Sequence, residues 1–268
     1  MSEVGEPPGD EDAQSGVEHL RALVDWDAEL DAALGTVDAP LDLYEEASWY
    51  RPISTGDIFF DVPVPGCTQE EHGSGLTMIL AHPSAMREGA VLEERARAGP
   101  VVHDSRISRK KYTPGFYDLF TLPGLSTPAK EAGHELKDQP WAALLGITGT
   151  IETASLDVKR RIACLSPTGV TLLIQKLVHC DTRHAVRLDT VGKVMAEKLE
   201  EIEQLQQWNE ELAAPRVDAG ESLQTVLLEA ADTFEAALQP LRPLLVDPVR
   251  RGVVWRQIAQ ERRALRAQ

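Results

Sequence analysis

Residues 51–102 read RPISTGDIFFDVPVPG, then a polar turn, then LTMILAHPSAM and, further on, AGPVV. Short apolar runs punctuated by Gly and Pro are the pattern of brief strands joined by turns. Residues 57–64 alternate loosely, 77–81 form a compact apolar run, and Val101 and Val102 open another strand behind Pro100. Residues 117–122 and 146–151 are further candidates. About five such strands fit a small barrel better than a parallel sheet. Residues 84–98 carry several charges and read as an inserted helix, and 126–139, with Pro128 and Gly133, read as a surface loop.

The ends of the chain have a different character. Of the 43 acids in 268 residues, fourteen lie in the first 46, against the single base Arg21. The net charge of -16 therefore belongs mostly to an arm. Its first 16 residues are rich in Glu, Asp, Pro and Gly with little to bury, and are expected to be disordered. Val17, Leu20, Val24, Leu30 and Leu34 then recur at helical spacing, so 17–48 read as an acidic amphipathic helix and linker.

Beyond Leu165 the pattern turns helical. Ser166 followed by Pro167 is an N-cap with proline in the first turn, and Val170, Leu173, Ile174 and Leu177 supply one apolar face to cap the barrel. Leu188, Val191, Met195, Leu199, Ile202, Leu205 and Leu212 form one periodic segment. Leu223, Leu227, Ala230, Phe234, Leu238, Leu241 and Leu245 form a second, and the break APRVDAG between them predicts an antiparallel hairpin. Asp247 and Pro248 start a last helix bearing most of the seven arginines found after residue 241. The fold class is α+β: an SH3-like barrel with an inserted helix, then a hairpin and a C-terminal helix. Its divisions are 1–16, 17–48, 49–180 and 181–268.

GDIFFDVPVPG resembles the opening strand and loop of the PemK/MazF-like toxin barrel, and IETASLDVKRRIACLSPTGVTLLIQKLV resembles the end of that family. The resemblance spans about residues 50–178. It implies RNA cleavage without a metal, in a toxin–antitoxin or phage-defence setting. Such chemistry needs a base for the ribose hydroxyl, a cation for the phosphate and an acid for the leaving oxygen. The family carries an arginine just ahead of the second strand, where this chain has Gly75, Leu76 and Thr77. Ser105 matches the family's hydroxyl position and Arg106 stands beside it. His82 and His103, with Arg87 and Arg109, are the groups available to replace the missing arginine.

The catalytic candidates are thus His82, His103, Ser105 and Arg106. Each has a plainer reading. His82 precedes Pro83, which stops a strand, and Ser84, which can cap a helix. His103 ends a strand. Arg106, Arg109, Lys110 and Lys111, followed by Tyr112, are either a nucleic-acid contact or a solvated loop. His179, Cys180, Asp181 and His184 lack a second ligand pair at zinc spacing and read as a helix C-terminus. Cys67, Cys164 and Cys180 are dispersed, with no CxxC pair, so no disulfide framework, metal or cofactor is expected. No apolar run approaches the ~18 residues of a membrane span, and a soluble, cytoplasmic protein is expected.

The missing arginine sets the order of functions. First stands a non-enzymatic interaction or regulatory protein, self-associating as a homodimer or docking a protein partner through residues 188–245. A divergent metal-independent endoribonuclease, with RNA as its partner, is second, and an acidic nucleic-acid mimic is third. The basic C-terminal helix either contacts nucleic acid or anionic lipid, or pairs with the acidic arm. A docked arm would screen a phosphate-binding surface.

Overall fold

The computed structural model describes residues 43–67, 75–103, 118–183, 186 and 188–267. The acidic tail, the helix predicted over residues 17–34, His184, and Ser105, Arg106, Arg109, Lys110 and Lys111 lie outside them. The described chain is mixed α and β: a curled antiparallel half-barrel sheet with helices packed around it.

The strands are β1 (Tyr44–Glu45), β2 (Ile58–Phe60), β3 (Leu76–Ile79), β4 (Arg87–Glu88), β5 (Val91–Leu92), β6 (Arg95–His103), β7 (Leu119–Thr121), β8 (Trp141–Leu144), β9 (Gly149–Glu152) and β10 (Arg161–Leu165). In the main sheet they run in the order β1, β10, β2, β3, β6, β8, β7. β9 also pairs with β6, beside Arg95 to Ala98, while β8 takes Val101 to His103. On its edge away from β3, one long strand thus serves two partners in turn, and the sheet curls. β4 and β5 form a separate two-stranded ribbon.

Side chains alternate as the pleat requires. Ile58, Met78 and Val101 enter a core shared with Leu172, Leu173 and Leu177, whereas Phe59, Ile79 and Ala98 enter a second core with Val62, Met86 and Ile151. The first core is closed by helix α3 (Pro167–Thr182). The expected cap is present: Ser166 Oγ accepts from Gly169 N at 3.0 Å, and Pro167 opens the first turn.

The helical layer follows the sequence pattern. Helix α4 (Leu188–Leu212) and helix α6 (Leu223–Leu238) form the hairpin, and helix α8 (Pro248–Arg266) is capped by the Asp247 carboxylate accepting from Val249 N. APRVDAG holds a short helix, α5 (Ala214–Asp218), and α7 (Arg242–Leu245) leads into α8. α4 spans two cores. Val191 and Met195, near its start, pack into the sheet core, while Leu205 and Trp208 pack with Phe234, Leu238, Val254 and Ile258. Among the described residues no helix is long and apolar enough to cross a membrane.

Two expectations need correction. Residues 84–98 are not an inserted helix: only α1 (Pro83–Met86) is helical, followed by the β4–β5 ribbon and β6. Ala96 and Ala98 are buried while Arg95 is exposed and Arg97 half-buried, a period of two that pairing with β3 and β9 imposes over the helical propensity of Glu, Arg and Ala. The expected loop over 126–139 holds helix α2 (Ser126–Glu131), which buries Pro128 and Ala129 against the sheet. Strand β8 carries little strand signal of its own, because Ala142 and Ala143 are weak strand formers.

A buried ion pair joins β10 to the chain that leads into β2. Arg161 Nη1 lies 2.9 Å from Asp57 Oδ2, and neither side chain is exposed. Arg161 also donates to the carbonyls of Ser48, Arg51 and Pro52, while Ser54 N donates to the same carboxylate oxygen at 3.0 Å. Replacing Arg161 by Met leaves a buried carboxylate without its cation, so Arg161→Met should cost about 3–5 kcal/mol in urea unfolding. A loss of about 1 kcal/mol or less, the range of an exposed pair, would contradict this placement.

Candidate functional site

His82 is the N-cap of α1. Its Nδ1 lies 2.7 Å from Ser84 Oγ and accepts from Ser84 N at 3.3 Å, and burial lowers its pKa. Ser84, which the sequence nominated as the cap, is instead the residue being capped. His103 lies at the far end of β6, exposed, with its ring edge-on to Trp141 at 5.6 Å between centroids.

The register separates the two histidines. Leu80 N and Ala81 N both donate to Arg97 O, so His82 stands near the Arg95 end of β6, whereas His103 stands past Val101, which faces Leu76. Six or seven strand residues intervene, or roughly 20 Å. The described residues therefore do not bring His82 and His103 into one cleft. Arg87 is also committed: its guanidinium donates to Ile53 O and Ala90 O, and burial pulls its pKa down to about 10, which keeps it charged at neutral pH.

His179 to Thr182 of the HCDTRH string end α3. Arg183 takes the left-handed conformation (φ 61°) and its N–H donates to His179 O. Asp181 reaches across to β6, where Arg97 grips both carboxylate oxygens at 2.6 and 3.1 Å. Those hydrogen bonds hold the Asp181 carboxyl below its ordinary range. Cys164 is buried beside Asp57 and Arg161, and burial pushes its thiol up to about 12. No thiolate forms there at neutral pH. Among the described residues no group of three His, Cys, Asp or Glu is placed to hold a metal ion.

A charged cluster that the sequence reading missed occupies the seam between sheet and helices. Its cleft is lined by Pro83, Arg87, Gly89, Lys198, Glu201 and Leu205, among others. Glu201 of α4, only 5% exposed, receives Lys198 Nζ at 3.2 Å and Arg242 Nη2 at 2.9 Å. The same Arg242 grips Glu235 of α6 through Nε at 2.8 Å and Nη2 at 2.5 Å. Glu235 Oε2 then accepts Ala90 N, on the β4–β5 turn, at 3.1 Å.

Glycine is required at that turn. Gly89 has φ +66°, and a Cβ would sit 2.3 Å from Glu235 Oε2. Lys198 and Arg242 face the two carboxylates while Arg87 spends its donors on carbonyls, and the Arg242 hydrogen bonds lower the Glu235 pKa. General acid catalysis needs a carboxyl that retains its proton near neutral pH. Glu235 is tuned the other way, and the cluster is built to clamp. Its hydrogen bonds join residues up to 145 positions apart, so no local motif announces them.

No family model, curated protein or solved structure matches this chain.

The sign of the pH dependence follows from Glu235. Its folded pKa is depressed, so its contribution to stability is present above the unfolded carboxyl value of about 4.3 and is lost as pH falls through the folded value. Arg242→Met should thus destabilise the protein strongly at neutral pH, and the gap to the unmodified protein should narrow at about pH 3. Urea unfolding at both pH values measures this. A gap that stays constant would show that the cluster's charge is irrelevant.

Proposed function

We propose that this chain is a non-enzymatic interaction or regulatory protein, in which a degenerate PemK/MazF-like barrel carries a helical layer for self-association or docking. The clamp of Arg242 on Glu201 and Glu235 is the observation that carries this reading. It fixes the helical hairpin against the β4–β5 ribbon, so the outer faces of the hairpin are presented in one rigid orientation.

Large apolar side chains stand on those faces. Val194 of α4 is 68% exposed and Leu228 of α6 is 63% exposed. These two side chains are the contacts offered to a protein partner, and a second copy is the simplest one. The distance between His82 and His103, and the capping duty of His82, weigh against the endoribonuclease reading. They do so without the missing family arginine entering the argument.

Two measurements test the proposal. Light scattering on the full chain should give the mass of a dimer, reduced to a monomer in Val194→Asp combined with Leu228→Asp. Incubation with single-stranded and structured RNA in EDTA should leave the RNA intact. Cleavage that disappears on His103→Ala or Arg106→Ala would overturn the proposal and establish the nuclease.

A further inference from the structure

Helix α8 has two faces of different chemistry. Its inner face is satisfied: Val254 and Ile258 are buried, Arg251 lies 3.6 Å from Glu200, Arg262 lies 3.1 Å from Glu211, and Trp255 Nε1 donates to Glu200 Oε2 at 2.9 Å. The acids of α4 thus take up the arginines that face them. Pairing between the basic helix and an acidic helix does occur, but on this face the acidic partner is α4.

Among the described residues the outer face has no such partner. On the helix itself Val249 and Val253 are 85% and 52% exposed and four residues apart, so they share one face, and Val246, 77% exposed, stands just ahead of the Asp247 cap. Arg250 flanks that face on one side. Arg256 and Arg263 flank it on the other, both exposed and without an ion pair among the described residues. An apolar stripe bordered by cations calls for an apolar stripe bordered by carboxylates.

We propose that residues 17–34 of the same chain dock on this outer face of α8 as an acidic amphipathic helix. Val17, Leu20, Val24, Leu30 and Leu34 supply the apolar stripe, and Glu18, Asp25, Asp27, Glu29 and Asp31 the carboxylates. The dimensions agree: as a helix, residues 17–34 measure about 27 Å and α8 about 28 Å. The tether agrees as well. Leu43 is buried in the sheet core, and Tyr50, seven residues on, receives Asn209 Nδ2 of α4 on its carbonyl at 2.9 Å. The arm therefore joins the body beside the helical layer, and the nine residues from Leu34 to Leu43 reach about 30 Å.

A short tether holds the arm at millimolar effective concentration, which favours it over a free partner or a lipid surface. Docking of this kind covers the valines and neutralises the arginines until a stronger acidic partner displaces the arm. It holds whether or not the chain cuts RNA.

Arg21 makes the test direct, because it is the only Lys or Arg in the first 46 residues. Trypsin cleavage after Arg21, followed by mass spectrometry on the full chain, reports how often the arm is free. Cleavage should be about tenfold faster in the Arg250→Glu, Arg256→Glu, Arg263→Glu triple variant. The same gain is expected in Val249→Asn with Val253→Asn, whose arginines are intact. Unchanged helical circular dichroism in both variants keeps the result specific to the arm. Equal cleavage rates in all three proteins would overturn the proposal. So would protection of Arg21 that weakens on dilution, since the arm would then be held by a second copy.

Discussion

The fold depends first on the Arg161 guanidinium. It sits on β10 without solvent exposure and answers one carboxylate, Asp57, together with the carbonyls of residues 48, 51 and 52. A fully buried charge is costly unless hydrogen bonds compensate it, and here the two Nη nitrogens serve four acceptors, while Nε and the second Asp57 oxygen find no partner among the described residues. The pair brings residues 104 positions apart into register. It orders the chain that precedes β2, places β10 between β1 and β2, and leaves Ser166 where it can start α3. Arg51, ion-paired with Glu45 and donating to Leu165 O at 3.0 Å, supports the same corner.

From that corner α4 carries the order outward. Its first turns complete the sheet core through Val191 and Met195, and its later turns build the helical core around Trp208 and Phe234, whose rings meet edge-to-face at 5.5 Å. The clamp of Arg242, Glu201 and Glu235 closes the seam between them. Apolar packing supplies most of the burial, while the charged seam specifies which helix face meets the β4–β5 turn. Removing Arg242 is costly because Glu201 stays buried without it.

The parts legible in the sequence were those determined by near neighbours. Ser166 with Pro167, and Asp247 with Pro248, mark helix starts because capping acts within three residues. The hairpin was legible because its apolar period persists over many turns. What escaped reading depends on distant partners. Arg95 to Ala98 have helical propensity, yet two neighbouring strands hold them extended. Ala142 and Ala143 form a strand between β6 and β7, where small side chains allow close packing. At the candidate site the imbalance is greater. His82 and His103 drew notice by residue type, and the pairing register sets them apart, whereas Glu201, Glu235 and Arg242 resembled ordinary helix-surface charges.

The central claim is that sheet and helical layer form one cooperative body that displays its helices rigidly. Native-state amide hydrogen exchange tests it most directly. The slowest amides of β3 and β6 and those of α4 and α6 should share one opening free energy and the same response to denaturant. If the helical amides open at distinctly lower free energy while the sheet amides stay protected, the two layers are separable and the account is wrong.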